Sequence, residues 1–89
     1  MEERIVTIRN EKGLHMRSAG EMVRIASRFV SEISITKDDL NVNGKSIIAV
    51  ISLAAEPGCS IKIQADGTDA QEAVNALVKM VENNFGEGG

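Results

Sequence analysis

The chain has no tryptophan or tyrosine, and Phe29 and Phe85 are its only phenylalanines. A core must therefore be assembled from Ile, Val, Leu, Ala and Met. Stacking platforms for unpaired bases are missing along with the aromatics. The net charge is −3, and no cluster of Lys and Arg interrupts the acidic balance. Both features argue against nucleic acid as a partner. Cys59 is the one cysteine, so neither an internal disulfide nor a thiolate metal cluster can form, which fits a reducing compartment. No apolar run approaches the ~18 residues needed to span a bilayer. The opening Met-Glu-Glu-Arg has neither the basic nor the apolar stretch of a signal peptide. The expected location is cytoplasmic, without membrane insertion. With no linker, repeat or low-complexity tract, the 89 residues are expected to form one domain over 1–89, with 86–89 as a flexible tail. Nothing in the residues asks for a cofactor or a metal.

Periodicity is what the chain does have. Arg4 to Arg9 alternates as a strand, with Val6 and Ile8 on one face. Ala19, Met22, Val23, Ala26, Phe29 and Val30 recur at helical spacing, with Glu21, Arg24 and Arg28 off that face. Ile33 and Ile35 mark a second strand, Asp38-Asp39 a turn, and Leu40 and Val42 a short third strand. Ser46 to Ala55 reads two ways. Its β-branched residues favour a strand, while Ser46 as a cap and the small residues after it favour a helix. Pro57-Gly58 suits the centre of a type II turn. Cys59, Ile61, Ile63 and Ala65 form the clearest alternation. Thr68-Asp69-Ala70-Gln71 reads as a capping box, and Ala70, Ala73, Val74, Leu77 and Val81 form the inward face of a last helix stopped at Gly86. The strands have one buried and one wet face, so the helices should share one side. The reading is an α/β (α+β) open-faced two-layer sandwich in the order βαββαβα.

The chemistry concentrates in Gly13-Leu14-His15-Met16-Arg17-Ser18-Ala19, which holds the only histidine, next to the start of the first helix. A neutral imidazole can attack phosphorus. The phosphoryl group it gains would meet unpaired N–H groups and positive partial charge at the helix N-terminus. Arg17 can hydrogen-bond and neutralise the same group. A carrier must also release its cargo, which asks for an exposed His15 with few permanent partners. Where the helix begins is open. Ser18-Ala19-Gly20-Glu21 is itself a capping box, which would place His15 a turn outside the helix.

Further along, Gly44-Lys45-Ser46 copies the end of a phosphate-binding loop, but the glycine required earlier is Asp39. Asp39-x-Asn41-x-Asn43-Gly44 copies the start of a calcium loop, but its twelfth position is Val50. Ile47, Ile48, Val50, Ile51 and Leu53 are too many apolar groups to face the sheet from one short helix. Some should stay exposed as a docking patch, which Arg17, Arg24 and Lys45 could ring against acidic partner rims.

Two separated segments, Gly13-Leu14-His15 with Arg17 and Ala19, and Val42-Asn43-Gly44-Lys45-Ser46-Ile47-Ile48, resemble the HPr family, the histidine-containing phosphocarriers of the bacterial phosphoenolpyruvate-dependent phosphotransferase system. The similarity runs from about Val6 to Leu77 and includes the Gly67-x-Asp69 entry to the last helix. It implies a four-stranded antiparallel sheet in the order 1-4-2-3 with three helices on one face, and it favours a helix after Ser46. It implies that the first helix starts at about Met16, with His15 at its mouth.

By the same resemblance His15 accepts a phosphoryl group on Nδ1 from phosphorylated enzyme I and passes it to an enzyme IIA protein, with Arg17 as the active-site arginine. Ser46 matches the serine that an HPr serine kinase/phosphorylase modifies in some bacteria, and Ile47, Ile48 and Ile51 match the apolar docking positions. The family usually has proline where this chain has Ser18. The resulting expectation is a monomeric phosphoryl carrier rather than an enzyme. The alternatives are a regulatory nitrogen-type phosphorelay carrier and a non-catalytic protein-binding regulatory module.

Overall fold

Alternating aliphatic side chains build the sheet and decide which of its faces is covered. In a computed structural model that describes residues 1–87, the strands are β1 (Glu2–Thr7), β2 (Glu32–Lys37), β3 (Leu40–Asn43) and β4 (Ser60–Asp66). They pair antiparallel in the order β1-β4-β2-β3. Ile33 and Ile35 of β2 and Ile61, Ile63 and Ala65 of β4 are buried, while the residues between them are half-buried or exposed. Helices α1 (Met16–Ala26), α2 (Ile47–Ser52) and α3 (Ala70–Glu82) cover the apolar face. This is the two-layer sandwich the patterning implies. Burying the five β2 and β4 aliphatics side by side fixes the register, because a one-residue slip would turn them all to solvent.

The opposite face is wet, and its amides and hydroxyls link across strands: Ser34 Oγ donates to Gln64 Oε1 at 3.4 Å, and so does Asn41 Nδ2, also at 3.4 Å. No helix among the described residues is long and apolar enough to cross a membrane.

Several local expectations shift. The first strand runs over Glu2–Thr7 rather than 4–9, although Ile8 stays fully buried and its N–H donates to the Cys59 carbonyl at 2.8 Å. Pro57 and Gly58 do sit inside a turn closed by Cys59 N–H on the Glu56 carbonyl at 3.0 Å, with Gly58 at φ +94°. The first helix stops at Ala26, so Val30, read as part of its inner face, is 77% exposed. The helix closes with i→i+3 bonds from the Arg28 N–H to the Ile25 carbonyl and from the Phe29 N–H to the Ala26 carbonyl, and the residues after it are held by Asp69. Its carboxylate accepts from the Val30 N–H at 2.9 Å, the Ser31 N–H at 3.0 Å and the Ser31 hydroxyl. Asp69 is also the N-cap of α3, yet its side chain makes no cap bond there, so the Thr68–Gln71 capping box does not form as read. Gly67 permits this junction: a Cβ on it would lie 2.6 Å from Ser31 Oγ and 2.7 Å from Ser31 Cα.

The Ser31 hydroxyl first, then the Val30 amide, holds the Asp69 carboxyl below its ordinary range. A depressed native pKa gives stability that is complete above the unfolded-state value and lost as pH falls through the native one. Asp69→Asn should therefore lower the melting temperature by several degrees at neutral pH. In thermal scans, that gap to the unsubstituted chain should close as pH drops below the ordinary aspartate range. A gap that stays constant down to low pH would contradict this assignment.

At the other end of the chain, the expectation of a flexible tail from Gly86 meets a built turn. Asn84–Gly86 forms a 3₁₀ turn whose Phe85 is buried, and Glu87 after it is docked by hydrogen bonds. Residues 88 and 89 of the expected tail lie outside the described ones.

Candidate functional site

His15 is the N-cap of α1, in extended backbone at φ −127° and ψ −174°. The first ladder bond runs from the Ala19 N–H to the His15 carbonyl at 2.8 Å. The amides of Met16 and Arg17 therefore have no intrahelical acceptor, and no acidic residue occupies the first turn to compete for an anion. Ser18 is the third helical residue rather than the cap. Its Oγ accepts the His15 N–H at 2.9 Å and donates to the Gly13 carbonyl at 2.9 Å. The capping-box signal was real, but Ser18 supplies the inner half of the box. Ser18 is completely buried with its hydroxyl hydrogen-bonded, which explains how serine stands in the first turn.

The loop before the helix is fixed by backbone contacts. Gly13 adopts φ +64° and Leu14 N–H donates to the Ala55 carbonyl at 2.8 Å, so the loop lies directly against the segment following α2. Asn10, fully buried, donates from Nδ2 to the Gly13 carbonyl at 2.8 Å and to Glu87 Oε1 at 3.0 Å.

Glu87 is the residue that sequence reasoning missed. Its Oε2 lies 2.9 Å from His15 Nε2 and 3.2 Å from Arg17 Nη1. Arg17 Nη1 also donates to the Phe85 carbonyl at 3.0 Å. The Glu87 carboxyl is held below its ordinary range, first by the Asn10 amide and then by His15 and Arg17, so it is ionised at neutral pH. The His15 ring thus has one carboxylate partner, in keeping with few, and its side chain is 30% exposed. Arg17 remains 53% exposed. An ionised carboxylate only accepts, so a neutral His15 ring in this contact carries its proton on Nε2 and its lone pair on Nδ1. No local signal marks Glu87 in sequence. It sits between glycines, 72 residues from its imidazole partner.

The second segment lies beside the first, since α1 packs on α2. Ser46 is the N-cap of α2, its Oγ accepting from the Ala49 N–H at 3.3 Å. Ile48 is 82% and Ile47 38% exposed, whereas Ile51 packs partly against the core and Val50 and Leu53 are buried. Met16, 70% exposed, adds an apolar group that the sequence reading left out. Two of the cations expected to ring the patch are tied locally. Arg24 Nη2 pairs with Glu21 at 2.7 Å, and Lys45 Nζ donates to the Phe29 carbonyl at 2.7 Å.

No group of His, Cys, Asp and Glu suited to a metal ion occurs among the described residues. An open hollow of about 540 Å³ on the wet sheet face is lined by Ser34, Asn41 and Gln64 among others, and includes no residue of the His15 cluster.

The family described as "PTS HPr component phosphorylation site" matches residues 2–83. The phosphocarrier protein HPr of Cupriavidus necator is 40% identical over 88 residues, 99% of each chain. The crystal structure of HPr-C-His from Thermoanaerobacter tengcongensis superposes with a TM-score of 0.94 at 44% identity, covering 98% of each chain. A second structure from that organism, described as an HPr dimer, superposes with a TM-score of 0.79, covering 98% of this chain and all of the other.

Proposed function

This chain belongs to the HPr family, phosphocarriers of the phosphotransferase system that relay a group rather than catalyse its turnover, and from that premise we propose that it takes a phosphoryl group on His15 Nδ1 from phosphorylated enzyme I and gives it to enzyme IIA proteins. The observation that carries this reading is the junction at His15: the residue bearing the chain's one imidazole is the N-cap of α1, with Arg17 in the first turn. An Nδ1 lone pair and free first-turn amides then serve one another. The lone pair attacks, and the amides of Met16 and Arg17 and the helix dipole favour the anion that arrives. Of the Arg17 guanidinium, only Nη1 is engaged among the described residues, so its other donors can reach phosphoryl oxygens.

A single-domain monomer is sufficient for this role, since every group invoked comes from one chain. Incubation with enzyme I and phosphoenolpyruvate should give one acid-labile phosphate per chain. Absence of such labelling would overturn the proposal.

Met16, Ile47 and Ile48 supply the exposed apolar surface on which partners dock, beside the reactive ring. Ser46, at the edge of that surface, is the regulatory phosphorylation site of this reading, open to an HPr serine kinase/phosphorylase. Ser46→Asp should keep the fold, because a carboxylate caps the Ala49 N–H as well as a hydroxyl does. It should slow phosphoryl transfer from enzyme I about tenfold, by placing a negative charge where an acidic partner rim approaches. Unchanged transfer kinetics with an unchanged melting temperature would remove Ser46 from the docking surface.

A further inference from the structure

The family match ends at residue 83, and the contacts made beyond it are unexpectedly specific. Glu87 is delivered by a strained turn: Asn84 and Phe85 adopt φ +55° and +56°, and Gly86 follows at +76°. Asparagine enters the left-handed region readily, but a bulky residue such as Phe85 persists there only where the surroundings over-determine it. Here Phe85 is anchored in the core, its carbonyl takes Arg17, and Asn10 clamps one carboxylate oxygen of Glu87. The result is an 84% covered carboxylate side chain aimed at one ring nitrogen of His15.

We propose that Glu87 is a positioning residue for phosphoryl transfer, one that holds the Nε2 proton of His15 and balances the charge the ring acquires when Nδ1 bonds to phosphorus. The inference rests on the phosphocarrier reading. In the forward step the Nδ1 lone pair forms the new N–P bond while the donor's N–P bond breaks and its electron pair returns to the donor nitrogen. No proton has to leave His15. The ring becomes a cation with Nε2–H still directed at the Glu87 carboxylate. In the onward step the N–P electron pair returns to the ring, and the leaving group is a neutral imidazole. If the Nε2 proton were lost to water in between, the leaving group would be an imidazolide anion, which departs far less readily. Glu87 thus keeps the carrier ready to donate, while Arg17 and the helix amides face the phosphoryl group itself.

Three variants and two readouts test this. Ring ¹⁵N chemical shifts report the tautomer of the unphosphorylated protein, and quench-flow reports phosphoryl acceptance from enzyme I and donation to an enzyme IIA. Glu87→Ala should move the neutral ring from nearly pure Nε2–H to a mixture of tautomers. Glu87→Gln, which preserves size but not charge, should slow both transfers about tenfold, the order expected for losing one charge-assisted hydrogen bond. Glu87→Asp should recover most of that loss. A wild-type tautomer ratio in Glu87→Ala, or unchanged transfer rates in Glu87→Gln, would overturn the proposal. A merely structural tail would alter the melting temperature and leave the tautomer alone. Should the unsubstituted protein accept no phosphoryl group at all, the phosphocarrier reading fails, while the tautomer measurement still decides whether Glu87 holds the ring.

Discussion

Replacing His15 by Ala is expected to reduce phosphoenolpyruvate-dependent labelling to background while leaving the fold in place. The chemical half of this expectation follows from the sequence, because no second imidazole exists to form the phosphoramidate. The structural half follows from what His15 contributes to the scaffold. Its backbone N–H to Ser18 Oγ and its carbonyl to Ala19 N–H are both main-chain functions that alanine retains. The side chain is part-exposed, and its partner Glu87 keeps Asn10 and Arg17 when the ring is gone. The stability change should stay within about 1 kcal/mol, as for substitutions away from a packed core. Acid-labile ³²P incorporation and a thermal melt on the same preparation check both halves. Incorporation that persists in a folded His15→Ala protein would move the phosphoryl site elsewhere.

How far the sequence discloses this arrangement depends on the range over which each signal acts. The strands over Ile33–Ile35 and Ile61–Ala65 and the inner face of α3 are legible because burial repeats with the backbone's own period. Periodicity cannot say where a helix begins or ends, since that is decided by what becomes of a few orphan amides. Val30 falls outside the helix, and the acceptor for its N–H is Asp69, 39 residues away. Ser18 gave a correct signal with two readings, because a capping box is a reciprocal pair and the sequence does not state which member comes first. The β-branched run at Ile47–Ile51 is a helix against its propensity, with Ser46 capping it and Val50 inserted into the core.

In the candidate site, His15 and Arg17 are legible because they are two residues apart and share one helix start. Ser46 and the isoleucines form a second local cluster, and only the packing of α1 on α2 brings the two together. Glu87 was illegible. Its contacts with Asn10, His15 and Arg17 span 77, 72 and 70 residues, and a glycine-flanked glutamate looks like solvated tail. A positive-φ turn after α3 puts it there: Asn84 and Gly86 suit that conformation locally, but Phe85 adopts it with its ring buried in the core, which no local pattern announces.

That dependence makes Phe85→Ala the substitution with the largest expected effect on stability. Phe85 is 3% exposed and joins the main core from a turn that packs against α3 and α1. Truncating a buried phenylalanine costs about 3–5 kcal/mol through lost transfer energy and the cavity left behind. For a domain of this size, 1 kcal/mol moves the melting temperature by about 4–8 °C, so a fall of at least about 12 °C is expected. The consequence should not stop at the core. Without its anchor residue 85 has little reason to stay in the left-handed region, and relaxing it should swing its carbonyl away from Arg17 and the Glu87 carboxylate away from His15. Well below its melting temperature, Phe85→Ala should therefore lose phosphoryl-transfer rate to the same extent as Glu87→Gln. Adding Glu87→Gln to it should then cost little more, because both changes break one link. A folded Phe85→Ala protein that transfers at the wild-type rate would show that Glu87 reaches the imidazole without the aromatic plug. Additive losses in the double variant would place Phe85 and Glu87 on separate paths to His15.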